Sequence, residues 1–233
     1  MPHVLTKNEV HVWVADLDLD DQVVKRHLEK LSAQEKDRAA RFHFFRDRNR
    51  FVVRRGMLRS LLADYIQLKA ADLVFVTNPF GKPALAPEFS PSVQFNLSHS
   101  GNLAVFGFAL DRALGIDIEK IRHDLDCWDL AQRNFANDEI AALAQLSGDA
   151  RTQAFFCVWT RKEAYIKALG MGVSFPLDRF AVTAGSDCPA LLWSDKQSDK
   201  QWLFHQIDVG GGAVSVVAVD GEVKGVRSFS FCD

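Results

Sequence analysis

Two long helices, each followed by a group of short strands, dominate the pattern of this 233-residue sequence. Residues 48–68 place apolar side chains at helical spacing and arginines on the opposite face. Residues 151–169 predict a second long helix, which ends at Gly170 and Gly172. Because short strand-like segments follow both helices, the order predicts an α+β fold with two similar halves.

The remaining elements are shorter, and one of them has a clear start signal. Ser32 is followed three residues later by Glu35, which is the capping-box pattern at the beginning of a helix. Other helices are predicted at 20–31, 125–135 and 138–146. Strands are predicted at 11–15, 74–76, 93–96, 103–110, 114–118, 180–183, 190–193, 202–209, 213–219 and 226–231.

No linker rich in Pro, Gly or Ser separates the two halves. We therefore expect residues 1–110 and 111–233 to pack closely as halves related by a pseudo-two-fold axis. A cleft between two packed units is a common place for a ligand, so we expect the active site there.

Positive charge is concentrated in one segment. The whole chain has 28 basic and 30 acidic residues, but residues 25–59 contain 12 basic and 4 acidic ones, an excess of eight positive charges. Such a segment predicts a polyanionic partner. The alternative is a helix with a solvated basic face.

Composition limits the class of protein. Hydrophobic residues make up 48% and charged residues 25% of the chain, as in ordinary folded proteins. No segment is apolar for the 18–20 residues that a membrane helix needs, and the first 15 residues do not resemble a signal peptide. The four cysteines include no CxxC pair and fit free thiols in a reducing cytosol, which favours a cytoplasmic protein. They are Cys127, Cys157, Cys188 and Cys232.

Residues 115–119, Gly-Ile-Asp-Ile-Glu, alternate as a half-buried strand does. Asp117 and Glu119 therefore point to the same side, where two carboxylates repel each other unless a cation lies between them. Oxygen ligands alone suit Mg²⁺ or Ca²⁺. The alternative is a strand end with two exposed acids.

Residues 159–167 form the second polar motif. Trp159, Glu163 and Lys167 lie on one helical face at intervals of four. A simple stabilising Glu–Lys pair is one interpretation, but Trp159 draws this face toward the interior. Glu163 would then complete a metal shell or accept a proton, and Lys167 would neutralise a phosphate.

Two further motifs are weaker alone. Residues 96–101, Asn-Leu-Ser-His-Ser-Gly, follow a predicted strand and could hold a phosphate through hydroxyl, imidazole and backbone N–H groups. Ser98 and His99 are adjacent, which does not by itself give nucleophile–base geometry, and no Gly-x-Ser-x-Gly elbow is present. Residues 80–83, Phe-Gly-Lys-Pro, predict a stiff loop that permits close ligand approach. The sequence has no Gly-x-Gly-x-x-Gly and no P-loop.

Together, the motifs at 81–83, 96–100, 115–119 and 159–167 resemble those of 4′-phosphopantetheinyl transferases in order and spacing. The resemblance is to the long, monomeric type that activates peptide synthetases and other carrier proteins, and it spans about residues 31–180. It implies transfer of the phosphopantetheine arm of coenzyme A to a serine hydroxyl of an apo carrier protein, with release of 3′,5′-ADP.

The resemblance also implies residue roles at the reacting phosphate. Mg²⁺, or Mn²⁺ as an alternative, would be held by Asp117, Glu119 and Glu163. Glu163, or a metal-bound water that it contacts, would take the serine proton, with Glu139 as a second candidate. Lys167 would contact the transferring phosphate.

The remaining coenzyme A contacts follow from the same resemblance. Ser98 and His99 would hold phosphates, with His99 at the 3′-phosphate. The loop that receives the adenine and its ribose would contain Thr77, Gly81, Lys82 and Pro83, and Arg38 would be the basic residue at the nucleotide end. The full set predicted to bind coenzyme A is Arg38, Thr77, Gly81, Lys82, Pro83, Ser98, His99, Asp117 and Lys167. The chain departs from some relatives by having Glu35 where they have a lysine and Phe51 where they have a hydroxyl; Arg38 and Arg50 are the expected substitutes.

Two other functions remain as alternatives. A Mg²⁺-dependent phosphohydrolase acting on a coenzyme A-like nucleotide would use the same acids, with water as nucleophile. A nucleic-acid-binding protein would use the arginine-rich helix, but its basic residues interleave with core positions. We therefore expect an apo carrier protein and coenzyme A as partners of a monomeric enzyme, with neither nucleic acid nor membrane.

Overall fold

The structure is a computed structural model that describes residues 4–89, 92–185, 188–196, 201–210 and 212–231. Its helices are α1 (Asp21–Glu29), α2 (Ala33–Ala40), α3 (Phe45–Ile66), α4 (Cys127–Asn134), α5 (Asn137–Ala144) and α6 (Gly148–Leu169). Its strands are β1 (Glu9–Asp16), β2 (Phe75–Thr77), β3 (Pro83–Leu85), β4 (Val93–Ser100), β5 (Leu103–Leu110), β6 (Leu114–Lys120), β7 (Phe180–Val182), β8 (Leu191–Ser194), β9 (Trp202–Ile207), β10 (Ala213–Asp220) and β11 (Gly225–Ser230). The predicted mixture of helices and strands is confirmed.

The first sheet has the strand order β11-β1-β5-β4. Strand β1 pairs antiparallel with β5 and parallel with β11, so the last strand of the chain joins the sheet of the first half. Helix α3 packs on this sheet, and Leu58 and Leu62 share a buried cluster with Phe106 and Phe108 of β5. The division of the chain into halves at residue 110 stays a prediction. Strand β11 belongs to the second half in sequence but lies in the sheet of the first half.

The second sheet has the order β6-β10-β9. Helix α6 packs on it, and Phe155 and Tyr165 share a buried cluster with Val216 and Ala218 of β10. A third cluster, which includes Val12 of β1 and Val217, contains residues of both sheets and joins the two parts into one body. Within the described residues, no helix is long and apolar enough to cross a membrane.

Strands β4 and β6 lie side by side and are connected through side chains of β4. The Oδ1 of Asn96 accepts a hydrogen bond from the Ile116 N–H at 2.9 Å, and the Oγ of Ser100 accepts one from the Lys120 N–H at 3.0 Å. Polar side chains thus satisfy edge N–H groups of β6 that would otherwise need a strand partner. This arrangement brings the motifs at 96–100 and 115–119 together.

Several sequence predictions are confirmed, and others are wrong in detail. The two long helices are present, and Ser32 and Glu35 form the predicted capping box. The strand predicted to end at residue 96 continues to Ser100, because its backbone pairs antiparallel with β5 as far as Ser100 and Leu103. Strand β3 was not predicted, since it begins at Pro83, a residue that strand patterns exclude. Cys232 lies outside the described residues, and the other three cysteines are free thiols.

Helix α6 and strand β6 touch through their backbones at Gly115. A Cβ atom added there would lie 2.1 Å from the Ala164 carbonyl oxygen and 2.3 Å from the Ala168 nitrogen. Neither backbone atom can move without shifting the helix. Gly56 marks a similar approach of α3 to α1, where a Cβ would lie 2.6 Å from the His27 Cβ.

We expect Gly115→Ala to lower the free energy of unfolding by at least about 3 kcal/mol, because the added methyl group must separate two backbones. Urea unfolding followed by circular dichroism measures this. Gly225→Ala is the matched control, since it is also a strand glycine and its Cβ would meet no described atom within 4 Å. Similar losses in both variants would contradict the close contact.

Candidate active site

Three elements meet at the carboxylate of Asp117. Its Oδ1 accepts hydrogen bonds from the Ser98 Oγ at 2.8 Å and from the Lys167 Nζ at 2.5 Å. The Lys167 ammonium also donates to the Ser98 oxygen at 2.9 Å. Strand β4, strand β6 and helix α6 therefore each contribute one member of a single hydrogen-bonded group.

Two further carboxylates add negative charge beside this group. The Oε2 of Glu119 accepts a hydrogen bond from the Ser100 hydroxyl at 3.0 Å. Burial raises the pKa of Glu163, and the charge of Asp117 raises it further. Burial and the nearby charges of Asp117 and Glu163 likewise raise the pKa of Glu119. Mutual repulsion of this kind is relieved when a cation binds among carboxylates.

One carboxylate oxygen is left without a partner. Asp117 is only 2% exposed, and its Oδ2 accepts no hydrogen bond in the described part of the chain. Burial raises the pKa of Asp117, an effect that the charge of Lys167 opposes. A buried carboxylate oxygen without a donor is costly, and the oxygen-only set of Asp117, Glu119 and Glu163 suits Mg²⁺.

In the described structure, Asp117, Glu119 and Glu163 are not arranged as a complete set of metal ligands. Among the described residues, no three His, Cys, Asp or Glu side chains are grouped closely enough to count as a metal site. Carboxylates repel at short range, and Lys167 already neutralises part of Asp117. The chemistry of the donors fits a divalent cation, while the assignment of all three ligands stays a prediction.

A cavity of about 450 Å³ opens beside Ser98. It brings together six residues that the sequence predicts to contact coenzyme A: Arg38, Thr77, Gly81, Pro83, Ser98 and His99. Asp117 and Lys167 adjoin it through their hydrogen bonds to Ser98. Residues from distant parts of the sequence therefore line one continuous site.

Lys82 does not line this cavity. Its Nζ donates to the backbone oxygen of Leu114 at 2.9 Å and to that of Ala168 at 3.4 Å. Burial lowers the pKa of its ammonium to about 8. The Lys82 side chain thus lies between β6 and α6, where it anchors its loop, instead of in the cavity.

Glu139 is also separate from the cavity. Its carboxylate accepts backbone N–H bonds from Ala136 at 3.0 Å and Val182 at 2.8 Å and pairs with the Lys162 ammonium at 2.8 Å. Both charged side chains are fully buried. Lys162 also donates to the Phe180 carbonyl oxygen at 2.6 Å. The structure therefore does not place Glu139 with the predicted catalytic residues.

A second cavity, of about 430 Å³, has Glu163 in its lining. Apolar side chains form most of its wall and include Trp159, Ile166, Phe175 and Leu177, while Arg133, Asn134 and Asp178 also line it. Glu163 thus borders an apolar cavity, whereas Ser98 borders a basic one.

Sequence comparison gives the family of this chain. The profile described as "4'-phosphopantetheinyl transferase, N-terminal" matches residues 20–109, and that of the "4'-phosphopantetheinyl transferase superfamily" matches residues 113–219. The chain is 36% identical to 4'-phosphopantetheinyl transferase HetI of Nostoc over 93% of its own length and 90% of that protein. The chain belongs to the 4'-phosphopantetheinyl transferase superfamily.

Other members of this superfamily are also similar to the chain. It is 32% identical to 4'-phosphopantetheinyl transferase Sfp of Bacillus subtilis over 74% of its own length and 75% of that enzyme. A solved holo-(acyl-carrier-protein) synthase of Bacillus anthracis, in complex with CoA (3',5'-ADP), overlaps 47% of this chain and 96% of that one at 20% identity and a TM-score of 0.41. The family profiles and the similarity to HetI and Sfp show that the chain is a 4'-phosphopantetheinyl transferase, as its motifs predict.

Arg54 lines the basic cavity of this transferase but was not predicted as a site residue. The only signal in the sequence is its spacing, since it follows Arg50 by four residues on the same helix. Spacing alone does not show which of the two faces the ligand.

The position of Glu139 leads to a prediction for its role. We expect Glu139→Gln to lower the free energy of unfolding by about 3 kcal/mol, because Lys162 would remain as a buried charge without a counterion. The rate of phosphopantetheine transfer per folded molecule should stay near wild type. Thermal unfolding and transfer rates at a temperature where both proteins are folded test this. Normal stability with lost turnover would instead support Glu139 as the base.

Proposed function

We propose that this transferase moves the 4′-phosphopantetheine arm of coenzyme A to a serine hydroxyl of an apo acyl or peptidyl carrier protein and releases 3′,5′-ADP. The observation that carries the proposal is the group formed by Asp117, Ser98 and Lys167, which adjoins the basic cavity through Ser98. This arrangement suits a substrate with an anionic nucleotide at one end.

The basic cavity would receive the nucleotide of coenzyme A. Arg38 and Arg54 supply positive charge there, and Gly81 leaves space for close approach. Ser98 and Lys167 lie where this cavity meets the buried acids, so they would bind the pyrophosphate. The ammonium of Lys167 would stabilise negative charge that develops on the transferring phosphate.

Asp117, Glu119 and Glu163 would hold Mg²⁺, with Mn²⁺ as an alternative. A divalent cation at this position supplies charge neutralisation and orientation for the pyrophosphate. The unpartnered, buried Oδ2 of Asp117 supports this assignment.

Glu163 is the proposed general base. Its carboxylate lines the second cavity and not the basic one, so a carrier serine that enters the second cavity would meet it directly. In-line displacement requires the nucleophile to approach opposite the leaving 3′,5′-ADP, and two separate cavities would give the serine and the nucleotide separate approaches. Glu163 would accept the serine proton as the new P–O bond forms.

We also propose that the chain is a monomer of two halves, residues 1–110 and 111–233, related by a pseudo-two-fold axis, and that it works in the cytoplasm. Two observations support the halves. Each contains a 22-residue helix packed on its own sheet, and the boundary between the two family profiles falls at residues 110–112. A single chain would then contribute both sides of the cleft.

The direct test is incubation with coenzyme A, Mg²⁺ and a panel of apo carrier proteins, followed by mass spectrometry of the carrier. We expect the mass gain of one phosphopantetheine arm. Asp117→Asn and Glu163→Gln should lower kcat by about 10²- to 10⁴-fold. Asp124→Asn removes the same charge from an exposed acid paired with Arg122 and should leave the rate unchanged.

Two outcomes would count against the proposal. Absence of any mass gain across carriers of the fatty-acid and peptide-synthetase kinds would contradict the transfer reaction. Release of phosphopantetheine in the absence of a carrier would favour the phosphohydrolase alternative instead.

A separate measurement tests the cation site. We expect Mn²⁺, followed by electron paramagnetic resonance, to bind the wild-type protein with coenzyme A present and to bind at least about 10-fold more weakly to Asp117→Asn, which loses a charged oxygen ligand. Chelation with EDTA should abolish transfer, and added Mg²⁺ should restore it. Equal Mn²⁺ affinity of wild type and variant would exclude Asp117 as a ligand.

A further inference from the structure

The two cavities of the site are built by different parts of the chain. Within the described residues, those that line the basic cavity all lie between Gln34 and His99, before strand β5. Those that line the second cavity all lie between Arg133 and Asp178, after strand β6 of the second sheet. A reaction between groups bound in both cavities therefore depends on the relative position of the two sheets.

Strands β4 and β6, which carry Ser98 and Asp117, face each other where the two sheets meet. In the described structure they belong to different sheets, so no ladder of backbone hydrogen bonds fixes one strand against the other. Instead, polar side chains of β4 accept hydrogen bonds from the Ile116 and Lys120 N–H groups. Because side chains adapt more easily than a ladder does, the alignment of the two strands depends on how β6 is held where it begins.

The chain crosses between the two sheets twice, and Arg112 ties these crossings together. The chain leaves the first sheet at residues 111–113, between β5 and β6, and returns at residues 221–224, between β10 and β11. The Nη1 group of Arg112, in the first crossing, donates to the Asp220 carbonyl oxygen at 3.2 Å and to the Glu222 carbonyl oxygen at 2.7 Å. The side chain of one crossing thus holds the backbone of the other.

These contacts restrict rotation at the start of β6. A hydrogen bond of 3.0 Å from the Asp220 N–H to the Ala113 carbonyl oxygen also joins the crossings. One hydrogen bond permits rotation about itself, whereas the two further bonds of Arg112 resist it. Asp117 lies along β6 at about 16 Å from Arg112, so a rotation of about 4° there would move it by about 1 Å. A shift of about 1 Å at reacting groups can lower the rate about 100-fold.

We propose that Arg112 is a positioning residue for transfer, which holds the second sheet against the first so that Asp117 and Glu163 stay aligned with the nucleotide. Arg112 itself lines neither cavity. This inference rests on the proposed function, because it takes the nucleotide and the carrier serine to bind in separate cavities. Unlike a purely structural role, it implies a loss of rate without a loss of nucleotide binding.

The first test separates nucleotide binding from transfer. Arg112→Gln shortens the side chain and removes the guanidinium that spans the crossings. We expect its single-turnover rate of transfer, at saturating carrier, to fall about 10- to 100-fold. Its affinity for 3′,5′-ADP, measured by isothermal titration without metal or carrier, should stay that of wild type, because the basic cavity lies within the first part of the chain. Arg112→Lys keeps the charge on a shorter donor and should give a rate between the two.

Amide hydrogen exchange followed by NMR gives a second readout that needs no substrate. The Ile116 and Lys120 N–H groups are bound by side chains of β4, so their exchange reports on the contact between β4 and β6. In Arg112→Gln we expect both to exchange at least about 10-fold faster than in wild type. The amides that pair β4 with β5 lie within one sheet and should exchange as in wild type.

Arg151→Gln is the matched control. The Arg151 side chain also donates to a backbone carbonyl oxygen, that of Leu146 at 2.7 Å, but both residues lie on the same side of the crossings. The variant removes an equal charge and a bond of the same kind. We expect its transfer rate and its exchange at Ile116 and Lys120 to be those of wild type, even if its stability falls.

Four results would overturn the role of Arg112: an unchanged transfer rate in folded Arg112→Gln, an equal loss of rate in Arg151→Gln, a matching loss of 3′,5′-ADP affinity, or a lost rate with wild-type exchange at Ile116 and Lys120. If Arg112→Gln does not fold, a wild-type rate and wild-type exchange in Arg112→Lys would overturn it as well. Absence of transfer by the wild-type protein to any carrier is a different result, because it contradicts the proposed function itself.

Discussion

The active-site geometry depends on the contact between helix α6 and strand β6. Their backbones meet at Gly115, where even a methyl group would come within 2.1 Å of the Ala164 carbonyl oxygen. Because the helix lies this close, the Lys167 ammonium reaches the Asp117 carboxylate two residues along the strand. A larger residue at 115 would increase the separation and break that contact. In the Gly-Ile-Asp-Ile-Glu motif, Gly115 thus permits the close packing of α6 on β6, whereas Asp117 and Glu119 supply carboxylates to the site.

Helix α6 takes part in two buried carboxylate–lysine pairs that have different consequences. Around Glu139 and Lys162, both carboxylate oxygens and the ammonium find partners, so the pair is saturated and ties α5, α6 and the segment before β7 together. Around Asp117 and Lys167, one carboxylate oxygen remains without a donor. Burial is similar in both carboxylates, so the difference lies in saturation. An unsatisfied buried oxygen favours a ligand, whereas a saturated pair stabilises the fold.

Sequence patterns predicted most of the elements and the acidic part of the site, because these depend on local periodicity. Alternation placed Asp117 and Glu119 on one side of a strand, and helical spacing placed Glu163 with Lys167. The directions of Lys82 and Glu139 were not predictable in this way. Lys82 reaches backbone oxygens of β6 and α6, and Glu139 pairs across to Lys162, so both orientations are set by partners distant in the sequence. The addition of β11 to the first sheet depends in the same way on a long-range pairing.

The excess of positive charge in residues 25–59 has a different meaning once its partners are known. Asp18 lies outside that segment and Glu35 lies within it, and together they occupy Arg50, Arg55 and Arg59. Of the basic residues that line the cavity, Arg38 and Arg54 are not held by these acids. Positive charge in the cavity and the buried carboxylate of Asp117 therefore adjoin each other through Ser98. Such a site favours a substrate that needs a cation at one phosphate and direct basic contacts at another.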